Sequence, residues 1–249
     1  MVLNILETNK LCVGYPGADI LSNVDIALKH GETVGLIGLN GAGKTTLLKT
    51  LLGLRKKKSG SFTMDTSLHA AGQGEAANDA IAALAYLPEK FEPPAFLTGY
   101  EFIDFSLKVY GRRIARDEIR KSVHDLAFDV AFLDKKVSSY SKGMRQKIGF
   151  LATILTGCSL MILDEPMSGL DPFSRSLVKD LIKAEKEKGR SFLISSHVLS
   201  DMEEICERIA VVDRGHVAFF GEPSAFIALH EGDNLERSFM NLILHNRSV

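Results

Sequence analysis

The chain has 249 residues, enough for one large domain or a domain carrying a lobe. With 45% hydrophobic and 24% charged residues it reads as a soluble globular protein. A net charge of −1 gives no electrostatic footprint for nucleic acid, which is not expected as a partner, and no run approaches ~20 apolar residues, so no membrane span is expected.

Met1–Lys10 has no basic flank followed by an apolar core, so no signal peptide is expected there. Cys12, Cys158 and Cys206 are scattered without zinc spacing and read as small buried hydrophobes of a reducing compartment. "NILETNKLCVGY", "DILSNVDIALKH" and "ETVGLIG" are β-rich runs split by "PGAD" and "HGE". Tyr15 lies ahead of a glycine loop, where an exposed aromatic can stack on adenine; a core tyrosine is the alternative.

The third run leads straight into "GLNGAGKT": Gly38, Leu39, Asn40, Gly41, Ala42, Gly43, Lys44 and Thr45, with Thr46 next. This fits G-x-x-x-x-G-K-[ST] in full, between a strand and a helix. The glycines let the backbone wrap closely round phosphate, so that N–H groups and the helix dipole face the anion. Lys44 is predicted to reach the β- and γ-phosphates of a nucleotide, and the Thr45 hydroxyl to ligate Mg²⁺. A merely tight turn leaves the Lys-Thr pair unexplained. The helix is expected to stop near Gly53. "RKKK" at 55–58 reads as a solvated corner, with an anionic membrane surface as the alternative, and "GSFTMD" as a strand. Residues 66–82, rich in Ala, Gly and small polar groups, fit either a mobile loop or a short helix.

"LAYLPEKFEPPAFLTGYEF" is a proline-rich connection that places a lobe boundary near 88–96. Residues 99–156 show only helical periodicity. Within them, "SYSKGMRQK" offers Ser141 as an N-cap before Ile148, Leu151, Ala152 and Leu155 at helical spacing. A helix N-terminus beside a glycine is a second anion site, and with no second P-loop it asks for a phosphate from outside the chain.

"SLMILDE" and "RSFLISSH" are near-continuous apolar runs, as in strands buried on both faces of a parallel sheet, with the helix "DPFSRSLVKDLIKAEKEKG" between them. Ligands sit at the carboxyl ends of such strands. There Asp164 is predicted to hold Mg²⁺, Glu165 to polarise an attacking water as general base, and His197 to donate to the γ-phosphate. A solvated acidic cap and a structural histidine are the bland alternatives. "RIAVVDRGHVAFFGEP" reads as a hairpin turning at Arg214-Gly215, and one C-terminal helix is expected over about 223–245. The fold class is α/β: a P-loop NTPase core with a mostly parallel sheet, an N-terminal antiparallel β layer and an inserted α-helical subdomain.

"GLNGAGKT" at 38–45, "YSKGMRQ" at 140–146, "ILDEP" at 162–166, "SGLD" at 168–171 and "SSH" at 195–197 follow one another in this order. With them the chain resembles the nucleotide-binding subunit of an ABC transporter, from about Leu6 to Leu242. "SKGMRQK", "YLPE" and "LKVYG" resemble the branch serving drug, sodium or polysaccharide exporters. The resemblance implies a single ABC ATPase domain over 1–249, with its core in 1–96 and 157–249 and the helical subdomain in about 97–156. It implies ATP and Mg²⁺ as cofactors, and hydrolysis that drives an integral membrane permease from the cytoplasmic face of the cell membrane. It also implies a head-to-tail dimer with itself or a homologous subunit, in which Ser141 and Gly143 grip the γ-phosphate held by the partner's P-loop.

Two departures stand out. The family signature Leu-Ser-Gly-Gly-Gln is here interrupted by Tyr140, Lys142, Met144 and Arg145, with Lys142 either near phosphate or facing solvent. The family's glutamine before the helical lobe is replaced by Glu89, a carboxylate able to meet Mg²⁺ directly or through water. The loop at about 86–98 and the lobe face after it are implied to form the groove for a cytoplasmic helix of the membrane partner. The competing readings are a soluble ABC ATPase acting on nucleic acid or the ribosome, and an unrelated P-loop kinase or GTPase, which has no account of 141–146.

Overall fold

The computed structural model describes residues 4–15, 17–65 and 84–247, so the open reading of 66–82 lies outside the described residues. In chain order the elements are β1 (Asn4–Tyr15), β2 (Ala18–Val24), β3 (Ala27–Lys29), β4 (Thr33–Ile37), α1 (Lys44–Leu51), β5 (Ser59–Met64) and β6 (Leu84–Leu87). Then come α2 (Gly99–Val109), α3 (Arg116–His124), α4 (Lys142–Leu155), β7 (Leu160–Asp164), α5 (Pro172–Glu187) and β8 (Ser191–Ser195). The chain closes with α6 (Leu199–Ile205), β9 (Arg208–Asp213), β10 (His216–Gly221), α7 (Pro223–Leu229) and α8 (Leu235–Arg247). They gather into two compact units, one from the segments up to Asp65 and from Ser191 onward, the other from the segment between.

In the first unit β1 pairs antiparallel with β2, β3 and β5, the expected N-terminal layer. A second sheet runs β10-β9-β4-β8, with β4 parallel to both β8 and β9. All five residues of β4 and of β8 are buried, as their unbroken apolar runs predict. Each large apolar side chain buried in this way contributes about 1.5–3 kcal/mol. At the amino ends of these strands Arg208 forks onto Glu32, donating from Nη2 to Oε2 at 2.7 Å, which ties β9 to β4 and leaves their carboxyl ends for chemistry.

β9 and β10 form the expected hairpin, with Arg214 (φ 47°) and Gly215 (φ 82°) both left-handed, as a tight primed turn requires. The single C-terminal helix expected over 223–245 is instead two, α7 and α8. The break lies at "EGDN": Glu231 turns left-handed, and Asn234 restarts the chain by accepting the Arg237 N–H at 2.8 Å.

In the second unit β6 and β7 are parallel, with Tyr86 beside Ile162 and Leu87 beside Leu163. α2 opens with a capping box between Thr98 and Glu101, and α5 with Asp171 as N-cap before Pro172. The helical stretch is not continuous, because short 3₁₀ turns at Val130–Phe132 and Val137–Ser139 interrupt it. Ile103, Leu107, Val123, Leu133, Ile148 and Leu151 form its core. Cys158 and Cys206 are buried, as their reading as small hydrophobes requires; Cys12 is half-buried, with the Asn23 N–H on its sulfur at 3.3 Å.

Candidate functional site

The loop between β4 and α1 is built for close approach. A Cβ on Gly38 would lie 2.4 Å from the Val212 carbonyl oxygen of β9. Gly43 has φ 109°, and a Cβ there would meet Leu21 at 2.6 Å. No other residue type fits either position without moving the sheet or the β layer. Lys44, only 8% exposed, folds back over its own loop, where Nζ donates to Gly38 O at 2.6 Å and to Leu39 O at 3.2 Å. Ala42 N–H donates to Leu39 O at 3.1 Å and closes the turn. Thr45 and Thr46 are half-buried, and the Thr46 carbonyl accepts the Thr50 hydroxyl. Gly41 and Asn40 are exposed at the tip with Leu39.

The same unit holds Tyr15 and His197. Tyr15 is 61% exposed at the end of β1, which excludes the core reading. The Arg55 guanidinium lies over its ring, 4.4 Å from the centroid. The Arg55 N–H donates to Lys49 O at the end of α1, so this pair is pinned to the helix that starts at the phosphate loop. The basic run is therefore not a purely solvated corner: Lys57 bonds Gly60 O, Lys58 pairs with Asp19, and Arg55 covers Tyr15. His197 is exposed one residue beyond buried Ser196, whose hydroxyl accepts the Val198 N–H at 3.0 Å and turns the chain outward. His197 lines a cavity of about 450 Å³ together with Gly38, Leu39 and Asn40 and with Glu236, Phe239 and Met240 of α8. The α8 wall escaped the sequence reading, which ran straight through the break before it.

In the second unit Asp164 ends β7 at 2% exposure, and Glu165 follows at 9% with a left-handed φ of 53°. That conformation costs a non-glycine residue energy and is found at functional turns. Because β6 runs parallel beside β7, the loop after Leu87 emerges on the same edge and carries Glu89, which is exposed. Burial, then the charges of Asp164 and of Glu89, push the Tyr86 hydroxyl up to about 12. All three groups therefore share one neighbourhood.

The turn before α4 is the predicted N-cap. Ser141 Oγ accepts the Met144 N–H at 3.2 Å, and both Ser141 and Lys142 are exposed. Half-buried Gly143 borders a cavity of about 250 Å³ with Ser141, Phe132, Lys147 and Gly169. The departures from the family signature have local explanations. Tyr140 is buried and donates from its hydroxyl to Phe132 O at 2.6 Å. Arg145 folds back onto Tyr140 O, and the Lys142 stem lies over Gly169. One turn along, buried Gln146 donates from Nε2 to Pro166 O at 2.9 Å and to Glu165 O at 3.4 Å. The sequence held Gln146 only as part of a motif string.

The donor chemistry fits the implied groups. Thr45 in the first unit, and Asp164 and Glu89 in the second, carry hard oxygen donors of the kind Mg²⁺ takes. Lys44 holds its ammonium in a loop whose carbonyls phosphate oxygens can replace.

A family model described as ABC transporter matches residues 21–168, more than half of the chain. Over 217 residues the chain is 36% identical to an uncharacterized ABC transporter ATP-binding protein of Synechocystis, a match covering 85% of this chain and 59% of that protein. It is 34% identical over 222 residues to the bacitracin transport ATP-binding protein BcrA of Enterococcus faecalis, covering 86% and 68%. The chain thus spans less than two thirds of the length of some curated relatives it matches. A solved structure described as the ATP binding subunit of an ABC transporter superposes with a TM-score of 0.80 at 27% identity, covering 96% of this chain and 99% of that one. On the family match and on these relatives, the chain belongs to the family of ABC transporter ATP-binding subunits.

Proposed function

We propose that the chain is the ATP-hydrolysing motor subunit of a membrane transporter, an exporter, working at the cytoplasmic face of the cell membrane. The observation that carries this reading is the Lys44 ammonium held inside the loop between β4 and α1, on carbonyls whose place the oxygens of a phosphate chain can take. The whole chain works as one ATPase domain, with 97–156 as its helical lobe. Lys44 and the N–H groups of Gly38–Thr46 hold the phosphates, and Tyr15 stacks on adenine. Thr45, Asp164 and Glu89 hold Mg²⁺, which supplies charge neutralisation at the phosphates when bound. Glu165 takes the proton of the attacking water, and His197 donates to the γ-phosphate.

Two copies pack head to tail, so that Ser141 and Gly143 of one reach the phosphate held by the other. Support comes from a capped helix start that is exposed and has no phosphate loop of its own. Export is supported by the likeness of "SKGMRQK", "YLPE" and "LKVYG" to exporter subunits. The permease groove lies at Phe91, Phe102, Phe105, Val109 and Tyr110, around a cavity of about 210 Å³. Phe105 and Val109 are 57% and 64% exposed there, an apolar surface suited to an amphipathic helix.

A crosslink tests the sandwich. Asn40→Cys and Lys142→Cys, in a chain with Cys12 replaced by Ala, are treated with a short bismaleimide and ATP. The expected product joins two chains on a denaturing gel. A crosslink confined to single chains rejects the dimer and leaves the turn at 141–143 without a role. For the base, Tyr15→Ala is expected to weaken ATP binding by roughly 5- to 150-fold, the ~1–3 kcal/mol of one base stacked on one ring. It should leave affinity for inorganic tripolyphosphate unchanged; an equal loss of both, seen by calorimetry, removes Tyr15 from the base site.

A further inference from the structure

We propose that Gln146 is a positioning residue for Glu165. It ties the carboxylate that acts in its own chain's site to the helix whose start reads the partner's nucleotide. The inference rests on the proposed roles of Glu165 and Ser141 and goes beyond them, because it joins the two.

Three observations converge. Gln146 is 4% exposed, so its amide is fixed by packing and is not a solvated side chain. Its Nε2 donates to Pro166 O at 2.9 Å and to Glu165 O at 3.4 Å, gripping the backbone at the residue proposed as base. Glu165 itself sits at φ 53°, a conformation that L-residues leave unless their neighbours hold them. Gln146 bonds the carbonyl oxygens of the two residues at this turn, Glu165 and Pro166, and so anchors the backbone that leaves the left-handed residue.

The other end of the coupling is the start of α4. Ser141 caps that helix and Gly143 lies in its first turn, five and three residues ahead of Gln146. A helix moves as a rigid rod over so short a span. Seating a phosphate on the Ser141 end therefore shifts the Gln146 amide, and with it the Glu165 backbone. A base misplaced by about 1 Å loses on the order of 100-fold in rate, so a small shift of α4 is enough to make hydrolysis in one site depend on the nucleotide gripped for the other.

The test uses the full chain, with Gln146→Met, which keeps length and volume but has no donor, and Gln146→Glu, which can donate to Pro166 O only when protonated. ATP is titrated for kcat, KM and binding affinity, each alone and in the Glu165→Gln background. Gln146→Met is expected to lower kcat about 10- to 100-fold with binding affinity unchanged, and to have no further effect on the residual rate of Glu165→Gln. Gln146→Glu is expected to show a deficit, relative to wild type at the same pH, that narrows as pH falls. An unchanged kcat in Gln146→Met overturns the proposal, as does an equal loss in both backgrounds. If Gln146→Met does not fold, the pH course of Gln146→Glu decides alone, and a flat deficit or none overturns the proposal. Failure of the underlying reading looks different: Glu165→Gln would then hydrolyse ATP at the wild-type rate, and the proposal falls with it.

Discussion

Glu165→Gln is expected to bind ATP with near wild-type affinity and to hydrolyse it about 10²- to 10⁴-fold more slowly. The amide has the shape of the carboxylate but cannot accept the proton of an attacking water. At 9% exposure the site offers bulk water little room to substitute as base. Glutamine matches glutamate in size, so the variant is expected to keep the left-handed φ of 53° that aims the side chain. ATP should then accumulate uncleaved and hold two chains together, giving a dimer on size exclusion with ATP and a monomer without it. Turnover near the wild-type rate places the base elsewhere.

Lys44→Ala should weaken nucleotide binding itself by about 10- to 150-fold, the ~1.5–3 kcal/mol of a charged hydrogen bond. The ammonium meets phosphate in the ground state, so its loss appears in affinity before it appears in rate. The change also frees the Gly38 and Leu39 carbonyls, which now share Nζ at 2.6 and 3.2 Å. Circular dichroism should therefore accompany the titration with a fluorescent ATP analogue. An unaltered affinity in a folded variant removes the loop at 38–45 from nucleotide binding.

What was legible in the sequence was local or strictly periodic. The phosphate loop is eight consecutive residues and reads as such without its surroundings, although the contacts that require two of its glycines come from afar, Val212 O of β9 at Gly38 and Leu21 of β2 at Gly43. β4, β7 and β8 announce themselves because every residue is buried, which leaves no polar alternation to confuse the reading. What was missed depends on distance along the chain or on weak punctuation. Gln146 meets its acceptor 20 residues on, and nothing in a glutamine declares which backbone oxygen it will bond. Arg55 read as one of four basic residues, because the Tyr15 ring it covers comes from the far side of the phosphate loop. The break between α7 and α8 was written in Gly232 and Asn234, but the apolar residues on either side kept helical spacing and outweighed it.

Position 99 and position 140 have to be inherited together. A Cβ on Gly99 would lie 2.4 Å from the Tyr140 hydroxyl and 3.1 Å from the Leu133 backbone. The tyrosine therefore occupies space that any other residue at 99 would claim. In a descending lineage the order of change is fixed. Tyr140 must first give way to phenylalanine or leucine, which costs about 0.5–1.5 kcal/mol for one lost hydrogen bond, since the Phe132 carbonyl still accepts the Lys135 N–H at 2.9 Å. A side chain at 99 then still meets Leu133, at 3.1 Å from its Cα and 3.3 Å from Cδ2, a tightness that takes a shift of a few tenths of an ångström to relieve before a better helix start at α2 can follow. The reverse order forces the Tyr140 hydroxyl off the Phe132 carbonyl while the ring stays in place. The glycine that opens α2 is thus locked in by the tyrosine that opens the signature turn 41 positions later, in place of the family's leucine.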